Sequence, residues 1–139
     1  MKCAKRGLLV VIEGIDGSGK TTVAINLVSK LNEMGFKAVY THEPTDSPII
    51  DALRKFTETY GVDPRIEALV IAADRIYHVD RIIVPLINSG YIVVSDRYVH
   101  SSIAYQGGLG VDIEWIKQLN RYAVRPDVAI YLRVSLDAA

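Results

Sequence analysis

Gly14-Ile15-Asp16-Gly17-Ser18-Gly19-Lys20-Thr21-Thr22 sets a glycine, four spacers and then Gly-Lys-Thr in succession, the pattern of a phosphate-binding loop. Its flanks suit that reading. Leu8 to Ile12 is an unbroken apolar run, as a strand buried on both faces of a parallel sheet requires. Beyond the loop, Val23, Leu27, Leu31 and Met34 recur at helical spacing and Gly35 offers a C-terminal cap. A strand, a glycine-rich turn and a helix together aim backbone N–H groups and a helix N-terminus at phosphate oxygens. Lys20 is a compact cation able to reach the β- and γ-phosphates, and Thr21 supplies a hydroxyl for Mg²⁺. Residues 14–22 are therefore the expected seat of a nucleoside triphosphate.

The whole chain bounds the setting. Its 139 residues are of a size for one domain, 1–139, and half of them are apolar, enough for a core. Sixteen basic residues balance sixteen acidic ones, so no global field invites nucleic acid or a membrane surface. Cys3 is the only cysteine, which leaves no disulfide framework and no zinc spacing and suits a reducing compartment. The basic and then apolar start is cut short by Glu13, with no small-residue cleavage site after it. No stretch approaches the ~20 apolar residues needed to span a bilayer. A soluble cytoplasmic protein is expected.

Further along, Ala38 to His42 reads as a second strand, stopped by Glu43-Pro44. Ser47 and Pro48 carry helix-start chemistry, predicting a helix through Ile49, Leu53 and Phe56 that ends near Gly61. The spacing of Leu69, Ala73, Ile76, Val79, Ile83 and Leu86 predicts a long helix over about 64–88 with that face buried, kinked near its end by Pro85. Tyr91 to Ser95 is a third buried strand, closing on Asp96-Arg97-Tyr98. Shorter helices are expected over 101–106 and 112–123, the second packed onto the sheet through Trp115, Ile116 and Leu119. A fourth strand over 128–134 and a first helical turn at 135–139 complete the chain. Strands alternating with helices imply an α/β fold, a parallel sheet with helices on both faces and right-handed crossovers. Ligands bind beyond the carboxyl ends of such strands, where the loop, Glu43-Pro44 and Asp96-Arg97-Tyr98 would converge.

Asp96, at the end of a buried strand, can hold Mg²⁺ directly or through water as the partner of Thr21. Arg97 offers a planar fork for bidentate phosphate binding. Ile71 and Arg75 lie four apart on one helix face, so one ligand could meet apolar surface from the first and donors from the second. On its own, Asp74-Arg75 reads as a solvated helix face. Ser102 and Tyr105 share a face of the helix expected over 101–106. His78 and His100 read as polar helix-face residues, and the scattered tyrosines form no stacking platform.

Taken together, Glu13 to Thr22, Glu43-Pro44, Ala72-Ala73-Asp74-Arg75, and Asp96-Arg97-Tyr98 with Ser101-Ser102-Ile103-Ala104-Tyr105-Gln106-Gly107 resemble the thymidylate kinase family in order and spacing across essentially the whole chain. The resemblance implies a three-layer phosphate-loop kinase that uses ATP and Mg²⁺ to phosphorylate dTMP to dTDP, commonly as a homodimer. It implies that Asp16 holds the 3′-hydroxyl of the acceptor sugar, that Arg75 reaches the thymine and that Arg97 takes the acceptor phosphate. It further implies that Ser102 sits beside the base, that Tyr105 crowds the 2′ position, and that Gln106, Glu43 and Pro44 line the same pocket. Lys20, Arg97 and Asp96 would be the catalytic set.

Three departures accompany the resemblance. The family usually has Phe, stacked on thymine, where Ile71 stands. His42 occupies a position that is Arg in many bacterial members. The chain also stops where the family continues into a mobile lid, a last strand and closing helices, so the domain is expected to be incomplete at its C-terminal end, and a catalytic arginine is expected from that lid. A deoxynucleoside kinase would share the donor site but usually has Ser where Tyr98 stands. A non-catalytic nucleotide-binding fragment is the other alternative. A switch GTPase is disfavoured, because neither Asn-Lys-x-Asp nor a strand-end Asp-x-x-Gly is present.

Overall fold

The computed structural model describes residues 5–135 and 137. Four strands, Leu8–Glu13 (β1), Ala38–His42 (β2), Ile92–Asp96 (β3) and Val128–Tyr131 (β4), form one parallel sheet in the order β2-β3-β1-β4. The helices are Lys20–Glu33 (α1), Pro48–Tyr60 (α2), Pro64–His78 (α3), Val84–Asn88 (α4), Val99–Gly108 (α5) and Ile113–Leu119 (α6). The apolar run of β1 is explained by burial on both sides. Leu9 and Val11 pack with Val79, Ile83, Ile87, Val93 and Tyr98, while Val10 and Ile12 pack with Ala24 and Val94, backed by Leu27, Val28 and Leu31 of α1. The register pairs Ile12 with Asp96 and His42 with Asp96. The strand ends are therefore level, and everything that follows them faces one cleft.

The long helix is where expectation and structure part. Val79–Ile83 is a π turn between α3 and α4, not a kink at Pro85. Val79, Ile83 and Ile87 all face the sheet, yet four-residue steps on an α-helix drift by about 40° each. A wider turn absorbs that drift. Pro85, which has no N–H to donate, sits in the first turn of α4, directly after the π turn.

Burial corrects the predicted faces as well. Leu69, Ala73 and Ile76 are exposed, and α3 instead buries Ala68, Ala72, Asp74, Arg75 and His78. The small alanines let polar side chains reach the cleft, which turns the apolar stripe outward. On α2 the buried residue is Ile50, with Ile49 and Phe56 outside. Trp115, Ile116 and Leu119 pack α6 against Ala68, Ile103 and Val111, so this helix rests on other helices and not on the sheet. It stops at Leu119 rather than continuing to 123, and β4 stops at Tyr131 rather than 134. The helical turn expected at 135–139 falls largely outside the described residues.

Candidate functional site

The loop between β1 and α1 turns through left-handed glycines at Gly17 and Gly19, with φ of 76° and 90°. Lys20 is buried, and its Nζ bends back to donate to Ile15 O at 2.7 Å. Burial lowers its pKa, and the nearby Arg97 charge adds to that effect. A cavity of about 250 Å³ is lined by Asp16, Gly17, Gly19, Lys20, Thr21, Thr22, Asp96 and Arg97. Within it, Thr21 Oγ1 donates to Asp96 Oδ2 at 2.5 Å, and Tyr40 OH reaches the same oxygen at 3.2 Å. Asp96 Oδ1 is buried with no hydrogen-bond partner among the described residues. An acidic oxygen left free beside a threonine hydroxyl suits a hard divalent cation or its water.

A second cavity, about 240 Å³, is lined by Glu43, Pro44, Glu67, Ile71, Arg75, Arg97, Ser101, Ser102, Tyr105, Gln106 and Leu109. Every acceptor-side residue anticipated from sequence is there except Asp16, which lies in the loop cavity and pairs with Arg97 across the cleft. That pairing lowers the Asp16 pKa, chiefly through the hydrogen bond from Arg97. Arg97 lines both cavities. It holds a left-handed φ of 75°, unusual for a residue other than glycine. The turn is fixed on both sides, by Arg97 N donating to Ile12 O at 2.9 Å and by Tyr98 N donating to Glu13 Oε1 at 2.7 Å. The buried Glu13 carboxylate also accepts from Ser101 Oγ at 2.6 Å. Burial raises its pKa despite both hydrogen bonds.

Under the second cavity lies a buried polar network not expected from the sequence. Asp74 and Arg75 are not a solvated face; they are 1% and 2% exposed. Asp74 accepts from Thr45 N, Thr45 Oγ1 and Ser47 Oγ, pinning the segment after β2 to α3. Ser47 therefore spends its hydroxyl on Asp74 and caps α2 with backbone only. Arg75 donates to Glu43, Ser102, Asn120 and the Tyr98 carbonyl. His78 is fully buried, between Glu43 Oε2 and Thr41 Oγ1, and is not the solvent-facing residue expected. Its spacing was a usable signal, because position 78 lies one turn beyond Arg75 on the same face. Asn120, at the C-cap of α6, carried no local signal at all. Gln106 Oε1 is buried at the cavity wall without a hydrogen-bond partner among the described residues. His100 is exposed.

A strand-end aspartate on the loop threonine, and one arginine shared by two cavities, narrow the choice of relatives. The family model described as "Thymidylate kinase" matches residues 12–139. The chain belongs to the thymidylate kinase family. Among curated members of that family, it is 46% identical over 128 residues to the probable thymidylate kinase of Staphylothermus marinus, covering 92% of this chain and 64% of that one. It is 42% identical over 135 residues to the thymidylate kinase of Brachyspira hyodysenteriae, covering 96% and 66%. The chain thus spans about two thirds of the length of the curated thymidylate kinases it matches. The crystal structure of thymidylate kinase from Ehrlichia chaffeensis superposes with a TM-score of 0.83 at 35% identity, over 96% of this chain and 76% of that one. The phosphate-loop α/β fold is shared with it. Among the described residues no helix is long and apolar enough to cross a membrane.

Proposed function

We propose that the protein is a nucleoside monophosphate kinase that transfers the γ-phosphoryl group of ATP to dTMP, giving ADP and dTDP, a step in deoxythymidine nucleotide biosynthesis. The observation that carries this is the position of Arg97, which lines both the phosphate-loop cavity and the cavity that gathers the acceptor-side residues. A cation at that junction can meet the donor's terminal phosphate and the acceptor's phosphate together. Membership of the thymidylate kinase family supports dTMP as the acceptor.

The acceptor's own phosphate oxygen attacks the γ-phosphorus while the bond to the β,γ-bridging oxygen breaks, so no covalent enzyme intermediate is needed. Alignment and charge neutralisation carry such a reaction. Lys20 holds the donor phosphates, Arg97 the acceptor phosphate, and Asp16 the sugar hydroxyl. Ile71, Pro44 and Tyr105 bound the acceptor, with Ser102, Gln106, Arg75 and Glu43 supplying its polar wall. Mg²⁺, when bound, supplies further neutralisation of phosphate charge, and Thr21 with the free Oδ1 of Asp96 would hold it.

The working form is a cytoplasmic homodimer. The exposed apolar side of α3 (Leu69, Ala73, Ile76 and Tyr77), with Ile49, Phe56 and Tyr60 of the neighbouring α2, supports association through helices. The functional test is a panel of dTMP, dUMP, dCMP, dAMP and thymidine offered with ATP and Mg²⁺, reading both binding and ADP release. dTMP should be preferred. Use of thymidine with none of dTMP would make it a nucleoside kinase, and binding without turnover of any acceptor would make it a nucleotide-binding module.

A further inference from the structure

Glu43 follows β2 directly, is 5% exposed, and has both carboxylate oxygens engaged. Oε1 accepts from Arg75 Nε and Oε2 from His78 Nδ1, each at 2.7 Å. His78 is 0% exposed, and its other ring nitrogen, Nε2, lies 2.6 Å from Thr41 Oγ1. Arg75 commits four of the five N–H groups of its guanidinium to Glu43, Ser102, Asn120 and Tyr98 O. The fifth, on Nη2, takes part in none of these bonds, and Arg75 lines the second cavity. His78 does not line that cavity.

A carboxylate can only accept, so the ring nitrogen facing Glu43, Nδ1, is the one that donates, while Nε2 meets the Thr41 hydroxyl. The contact between Arg75 and Glu43 runs through Nε alone and is not a two-point fork. The terminal torsion of a glutamate is broad, so one contact leaves the carboxylate plane free to turn. A second contact at Oε2, from a residue one turn further along the same helix, stops that rotation.

We propose that His78 is a positioning residue for acceptor recognition: through its Nδ1–H bond it fixes the plane of the Glu43 carboxylate, which holds the Arg75 guanidinium with one N–H open to the acceptor's base. The inference rests on reading this cavity as the acceptor site. His78 thus acts on affinity and base choice without touching the ligand.

Two substitutions separate its two hydrogen bonds. An asparagine amide nitrogen takes the place of Nδ1, and a glutamine amide nitrogen takes the place of Nε2. His78→Asn therefore keeps the bond to Glu43, whereas His78→Gln keeps only the reach to Thr41. Calorimetry on the full chain should find dTMP affinity near the parent value for His78→Asn, and about tenfold weaker for His78→Gln, the scale of a lost hydrogen bond to a charged group. In His78→Gln the margin of dTMP over dCMP should narrow, and in both variants the affinity for an ATP analogue should stay at the parent value. Equal dTMP affinities in the two variants, at the parent value or below it, would overturn the positioning role while leaving the proposed function standing. Failure of the unmutated chain to bind dTMP would instead overturn the reading of the cavity, and this inference with it. If a variant does not fold, imidazole nitrogen NMR of the unmutated chain decides. The His78 Nδ1–H signal should shift on adding dTMP and not on adding the ATP analogue, and an unmoved signal counts against the proposal.

Discussion

Asp74→Ala removes a carboxylate that is 1% exposed and accepts three hydrogen bonds, from Thr45 N at 2.8 Å, Thr45 Oγ1 at 2.5 Å and Ser47 Oγ at 2.7 Å. Hydrogen bonds to a charged group contribute about 1.5–3 kcal/mol each, so the three together have a gross value of roughly 5–9 kcal/mol. Against this, the variant no longer confines an ionised carboxylate, a relief of several kcal/mol. Thr45 and Ser47 remain buried, so their donors do not regain water when the acceptor goes. The expected net loss is about 3–5 kcal/mol, a large share of the roughly 5–15 kcal/mol that holds a typical domain together. At this chain length that lowers Tm by about 10–15 °C. Asp74→Asn keeps one acceptor oxygen and should lose less, about 1–3 kcal/mol. Thermal and urea unfolding followed by circular dichroism measure both. A Tm for Asp74→Ala within about 3 °C of the parent would refute the reasoning, since it would mean that the segment after β2 does not depend on this anchor.

Lys20→Ala removes the only lysine of the loop and should weaken an ATP analogue by at least about tenfold in calorimetry; unchanged affinity would move the donor site elsewhere. Ile71→Phe should tighten dTMP by about 0.5–1.5 kcal/mol if the base lies against that wall, and an unchanged dissociation constant would place the base away from it. Burial raises the Glu13 pKa above 4.5, so the folded chain holds that proton more tightly than the unfolded chain does. The corresponding stability is full below pH 4.5 and is lost as pH rises through the raised folded value. Urea melts of Glu13→Gln between pH 4 and 7 should lack that part of the decline, and a parallel decline in both proteins would exclude Glu13 as its source.

Much of the fold could be read from residues because the local signals and the tertiary structure agree. The apolar run at Leu8–Ile12, the glycine-rich loop and Ser47-Pro48 each have a cause within a few positions, and each appears where expected. The lining of the second cavity was also legible, because it lies on recognisable stretches that follow strands. The buried side of α3 was not. Leu69, Ala73 and Ile76 keep helical spacing as well as any core stripe does, and only the tertiary arrangement shows that Ala68 and Ala72 face inward to make room for Arg75 and His78. Charge misled for the same reason. Asp74 and Arg75 look solvated until Thr45, Ser47, Glu43 and Asn120, distant in sequence, arrive to satisfy them.

The π turn at Val79–Ile83 separates two clients of one helix: a polar cluster that needs Arg75 and His78 on its side, and a sheet that needs Val79, Ile83 and Ile87. It acts as a phase adjuster between them. Each residue of an α-helix turns the chain by about 100°, so a change of length by one residue in this segment would rotate one client's side chains away from their partners. Before Ala68 or beyond Ile87 the same change would stay local. Between His78 and Val84 it would force the cleft and the sheet to compete for a single orientation. The segment's composition has latitude, with Asp80 and Arg81 at the surface, but its count of residues does not.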